Sequence, residues 1–161
     1  MNKNQIIELL DKDEPDYSII TDINDEEAGY LVEIIDESHG ILLHAAVYVL
    51  ASSGKNYNVA WQKLEDLSKT SEPVVLISML GGLKISPNPR DILLVNEALD
   101  NPDQGVLTKC LEVLALISDI NSLDSDVLSS VRHKLETLKI VNTFDEAISQ
   151  KLENVLTILG N

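Results

Sequence analysis

"ILLHAAVYVLA", residues 41–51, is apolar at nearly every position and holds neither Gly nor Pro. Three later stretches share its spaced apolar pattern: "VVLISMLGGLK" (74–84), "VLTKCLEVLALI" (106–117) and "ISQKLENVLTIL" (148–159). Take Leu43, Leu76, Leu107 and Ile148 as equivalent positions. Four residues on stand Val47, Leu80, Leu111 and Leu152, and the intervals are 33, 31 and 41 residues. Spacings of three and four recur along the whole chain and period-2 alternation is nearly absent, so the elements are helices. Between the four stretches lie amphipathic ones: "VAWQKLEDLSK" (59–69), "DILLVNEALD" (91–100) and "VLSSVRHKLETLK" (127–139). The order is helix, turn, second helix, turn, repeated.

Breakers at Pro15, Gly40, Gly54, Pro73, Pro87, Pro89, Pro102 and Gly160 divide the chain. Helices are predicted near 3–12, 24–37, 40–52, 57–69, 73–84, 90–99, 103–119, 125–139 and 144–159. Asn88-Pro89 and Asn101-Pro102 each set a polar cap before a Pro at the first helical position. Thr143 and Glu146 match a capping box, and Asp124 can cap the helix after it. Gly81-Gly82 either ends a helix or lets two helices approach closely. "KISPNPRD" (84–91), with two prolines, is a turn separating the second and third repeats.

Over residues 24–160 this pattern resembles the HEAT-like alpha-solenoid family. The resemblance implies an all-α, slightly curved stack of antiparallel helix pairs, with first helices on one side and second helices on the other. A compact helical bundle is the alternative. Residues 1–161 are expected to form a single all-helical domain, 1–21 being an N-terminal helix and acidic loop and 22–161 the repeats.

Composition narrows the function. Lys and Arg number 12, Asp and Glu 27, and the net charge is −15. Residues 1–40 hold 12 acids and 2 bases, a balance of −10, so two-thirds of the excess lies in the first quarter of the chain. Such a field steers basic partners and repels nucleic acid. No run of about 18 apolar residues suggests a membrane span. The first residues lack the apolar stretch of a signal peptide. A single cysteine, Cys110, sits in an apolar run and reads as a small core residue. Together these lead us to expect a cytoplasmic setting.

The charge concentrates in "DINDEEAGYLVEIIDE", residues 22–37, with seven carboxylates and no Lys or Arg. At about 100° per residue, Asp22, Asp25, Glu26, Glu33, Asp36 and Glu37 share an arc of about 120°. Tyr30 stands at its edge. Ile23, Ala28, Leu31, Val32, Ile34 and Ile35 face the other way, with Glu27 alone toward the apolar side. Like charges at these spacings cost a helix roughly 0.2–0.5 kcal/mol per pair, and Asp36 and Glu37 sit at the unfavourable end of the dipole. A basic partner would turn that cost into affinity. Asp22, Asn24, Glu26 and Glu33 also fall at the first, third, fifth and twelfth positions of a calcium loop. The sixth, which needs Gly, is Glu27, so no metal site is expected.

Catalytic signals are missing. His39, His44 and His133 have no second His or Cys at ligand spacing. There is no phosphate loop, nucleophile elbow or dinucleotide fingerprint. Neither an enzyme nor a cofactor is expected. In size, charge and helical character the chain resembles an immunity protein of a bacterial toxin system, of the contact-dependent growth inhibition or nuclease bacteriocin type. That resemblance implies steric neutralisation of a basic toxin, in such systems a nuclease, with no nucleic acid and no membrane as partner. Asp22, Asp25, Glu26, Glu33, Asp36 and Glu37 would form the charged surface, Tyr30 the aromatic anchor, and Tyr48 an addition to it. A HEAT-like adaptor binding a cellular protein is the runner-up.

Overall fold

A computed structural model describes residues 1–18 and 21–160 of the 161. The described residues form nine α-helices and no strand, so the fold is all-α. The helices are α1 (Lys3–Leu10), α2 (Asp25–Glu37), α3 (Gly40–Val49), α4 (Asn58–Ser68), α5 (Pro73–Leu83), α6 (Ile92–Ala98), α7 (Gln104–Leu116), α8 (Ser125–Val141) and α9 (Glu146–Gly160). Two compact units divide the chain, Met1–Ser86 and Pro87–Asn161. The division falls inside the Pro-rich "KISPNPRD" turn.

In the first unit α2 packs against α4, and α3 against α5, while α2 meets α3 and α4 meets α5. These are two layers of two helices, with α1 laid against α2 and α3. The second unit repeats the scheme: α6 against α8, α7 against α9, α6 against α7 and α8 against α9. Each unit by itself is therefore compatible with a helical repeat. Seven of the eight repeat positions are buried: Val47, Leu76, Leu80, Leu107, Leu111, Ile148 and Leu152. Leu43 is half-buried. Burying each such side chain contributes about 1.5–3 kcal/mol relative to exposure.

Of the twin glycines, Gly82 serves close packing. A Cβ on Gly82 would lie 2.4 Å from the carbonyl oxygen of Tyr48 and 2.8 Å from Ala51 Cβ. Only a residue without a side chain lets α5 approach α3 so closely. Beyond α3 the helix does not simply run on to residue 52. It widens into a π-helical turn, Leu50–Gly54, where the Ser52 hydroxyl donates to the Val49 carbonyl at 3.2 Å.

Two start signals behave differently from expectation. Asn101 does not cap α7. It accepts from the Asp103 N–H, and Asp103 caps the helix by accepting from the Val106 N–H at 3.0 Å. Pro102 thus precedes the helix. At α9 the cap is Asp145, which accepts from the Ile148 N–H at 2.8 Å, so the Thr143–Glu146 box is not formed. At these two starts a carboxylate is the cap, an ionised acceptor bonding an orphan N–H more strongly than a neutral one. Asn88 and Asp124 cap as expected. Helix α7 stops at Leu116, short of residue 119, because Ile117 turns extended and Asp119 adopts a left-handed φ of 53°.

Candidate functional site

Helix α2 starts at an asparagine. Asn24 accepts from the Glu27 N–H at 2.8 Å, and the Glu27 carboxylate accepts from the Asn24 N–H at 2.9 Å. This reciprocal box places Asp22 outside the helix, so five carboxylates, not six, lie on its exposed face. Glu27 is the acid the helical wheel turned toward the core. It is 7 % exposed and pairs with the α-amino group of Met1. That amino group, with the Asn24 N–H behind it, holds the Glu27 carboxyl below the ordinary glutamate value. The residue at the sixth position of the failed calcium loop is therefore the reciprocal member of the helix's capping box.

The exposed carboxylates fall into two groups. Lys3, on α1, reaches Glu37 at 2.7 Å and Glu33 at 3.1 Å. Lys63, on α4, pairs with Asp36. The segment's own lack of bases is thus offset at its C-terminal end by two neighbouring helices. Asp22, Asp25 and Glu26 are exposed and make no ion pair among the described residues. The Tyr30 hydroxyl donates to Glu26 at 2.6 Å, which ties the tyrosine to that unpaired end and raises its own pKa. An exposed ion pair contributes about 0–1 kcal/mol, so the paired end remains available to a competing cation, though less so than the other.

Tyr48 lies apart from this face. It sits on α3, half-buried, with its ring 4.7 Å from that of Tyr17 and tilted by 43°. The two line a cleft of about 200 Å³ over the π-helical turn. Sequence reading singled out Tyr48 and missed Tyr17, Lys3 and Lys63. A second, mostly apolar cleft of about 400 Å³ in the other unit is lined by Pro89, Ile92, Leu93, Leu123 and Val127.

His39 precedes α3 and His133 is exposed on α8, while His44 is half-buried within α3. Among the described residues, no group of three or more His, Cys, Asp or Glu could hold a metal ion. The Cys110 thiol is fully buried, and burial pushes its pKa far up. No helix among the described residues is long and apolar enough to cross a membrane.

Comparison with protein-family models, with curated proteins and with solved structures finds no match to this chain.

Proposed function

We propose that the protein is a binding module that captures a cationic protein through the N-terminal end of α2. The observation that carries this reading is the unequal pairing of the acidic face. Asp22, Asp25 and Glu26 stand exposed without an ion-pair partner among the described residues, while Glu33, Asp36 and Glu37 are held by Lys3 and Lys63. An unpaired carboxylate gains the whole of a new ion pair, whereas a paired one must first give up its lysine. Association would be fast and salt-sensitive, since long-range attraction brings the surfaces together before contact. Tyr30, fixed by its bond to Glu26, supplies the adjoining aromatic surface.

In its finer form, the reading is an immunity-type protein, cytoplasmic, that covers a basic nuclease toxin and blocks it sterically without chemistry or cofactor. A HEAT-like stack of helix pairs would carry the surface. The test is capture from the native host with wild-type chain and with an Asp22→Lys, Asp25→Lys, Glu26→Lys variant, with the captured protein identified and assayed for nuclease activity. A basic protein held by the wild type and released by the variant supports the reading. Equal capture by both chains removes this surface from the site. A captured basic protein without nuclease activity removes the finer form alone.

The adaptor reading has one observation in its favour. Leu93, at the apolar cleft of the second unit, is 42 % exposed. A partner seated there would respond to Leu93→Asp and ignore changes on α2.

A further inference from the structure

One side of the α8–α9 pair carries an apolar patch that neither the core nor the acidic face explains. On α8, Leu128, Val131 and Leu135 are buried as the helix packs against α6 and α9. Glu136, Lys139 and Ile140 recur at spacings of three and four on a different side, and all three are exposed. On α9, Ile148, Leu152, Val155 and Leu159 are buried, while Glu153, Leu156 and Thr157 form the adjoining row. The two rows enclose a groove of about 590 Å³. Lys139 and Glu153 form an ion pair across it, and Ile140 and Leu156 supply its apolar lining. Ile140 is 83 % exposed, more than any other large apolar side chain among the described residues, and Val141 beside it is 68 % exposed.

Charge selects the occupant. Residues 127–160 hold 4 acids and 4 bases, a balance of zero, although the chain carries −15. A neutral face exerts no long-range pull on a cationic protein. A second copy of this acidic chain is repelled wherever like charges meet, and a neutral face removes that repulsion locally. Glu136 and Lys139 also carry opposite charges one turn apart. Two antiparallel copies of α8 set each Lys139 against the other's Glu136, the reciprocal pairing that a two-fold axis produces. Ile140 adjoins Lys139 on the same row, so the same contact covers it. With 17 residues in α8 and 15 in α9, the pair presents a face of about 25 Å by 20 Å. Two such faces bury about 1,000 Å² together, the low end for a specific interface. Such an area gives a weak dimer, with a dissociation constant on the order of 10–100 µM.

We infer that this face docks the chain onto a second copy of itself, through a two-fold contact built on Glu136, Lys139 and Ile140. The inference stands apart from the acidic face and does not depend on a cationic partner.

Sedimentation velocity on the full chain, from about 5 to 500 µM, tests it. The weight-average mass should climb from monomer to dimer and stop there. Ile140→Asp should weaken the dimer at least about tenfold, since it buries a carboxylate in the contact, and should leave the thermal melt unchanged because Ile140 is exposed in the single chain. Leu93→Asp, at the apolar cleft lined by Pro89 and Val127, should leave self-association as it is. Glu136→Lys and Lys139→Glu should each weaken the dimer at least about tenfold, because like charges then face each other across the axis. Mixed in equal amounts, these two variants should regain it, because two lysines on one chain then meet two glutamates on the other. A chain that stays monomeric at every concentration overturns the inference. Growth of the mass beyond a dimer overturns the two-fold contact. Dissociation by Leu93→Asp and not by Ile140→Asp overturns the choice of face. A mixture that associates no better than either variant alone overturns the pairing of Glu136 with Lys139.

Discussion

The two ends of α2 carry similar numbers of exposed carboxylates in opposite circumstances. At the C-terminal end Glu33, Asp36 and Glu37 meet Lys3 and Lys63, brought there from α1 and α4. At the N-terminal end Asp25 and Glu26, with Asp22 just before the helix, make no ion pair with a lysine among the described residues. The dipole accounts for part of this. Carboxylates in a first turn are stabilised by the helix's own N–H groups, while those in a last turn are opposed by its carbonyls. The end that the dipole disfavours is the end that receives compensating lysines. Stability therefore explains the paired half, and leaves the unpaired half as the part free to serve a partner.

The sharpest way to break that comparison is to reverse each end separately. Asp22→Lys, Asp25→Lys and Glu26→Lys together should weaken binding of a cationic partner at least about a hundredfold, since like charges facing one another cost several kcal/mol. The matching change at Glu33, Asp36 and Glu37 should weaken it far less, and should lower the melting temperature through repulsion with Lys3 and Lys63. Isothermal titration calorimetry and thermal denaturation on both variants check this. Equal losses of affinity would erase the distinction between the ends.

Next in size is Glu27, which belongs to neither end and fixes where the helix begins. Glu27→Ala leaves the Asn24 N–H and the Met1 amino group without their acceptor, so about 1–3 kcal/mol of stability should be lost. The pH dependence has a definite sign. Glu27's carboxyl is held below its ordinary value of 4.5 in the folded chain. Its contribution is therefore fully present above pH 4.5 and is lost as pH falls through the lower folded value. Denaturant melts of wild type and Glu27→Gln should differ at neutral pH and converge under acid. A gap that widens as pH falls would mean that Glu27 is not the charged partner the geometry makes it.

The helices themselves were open to sequence reading because their signal is local. Apolar spacing and breakers mark all nine, and the buried rows at Val47, Leu76, Leu80 and Leu111 follow from the repeat. Caps were read less well, since several polar residues compete at each start and only the backbone geometry selects Asp103 over Asn101 and Asp145 over Thr143. The pairing of the acidic face was hidden for a different reason. Lys3 lies 34 residues from Glu37, and Lys63 lies 27 from Asp36. A count taken along the segment cannot register them. The repeat pattern did contain a partial clue: second helices of successive pairs lie side by side, so a lysine on the exposed face of α4 is a natural neighbour for α2. Tyr17 gave no signal, because it lies in a non-helical stretch whose only marker is charge.

The smallest effect tests whether the lysines matter at all. Lys63→Met removes the partner of Asp36 and leaves an apolar stem of similar length on α4. Side-chain exposures of 20 % for Lys63 and 57 % for Asp36 place this pair in the weak class, so stability should fall by only about 0.2–1 kcal/mol. Affinity for a cationic partner should rise by a few fold at low salt, as a fourth unpaired carboxylate joins the surface, and the gain should fade by about 0.15 M salt as screening sets in. Lys3→Met should act in the same direction and more strongly, because it releases Glu33 and Glu37 together. If both variants bind as the wild type does, the carboxylates of the paired end have no part in recognition, and Lys3 and Lys63 serve stability alone.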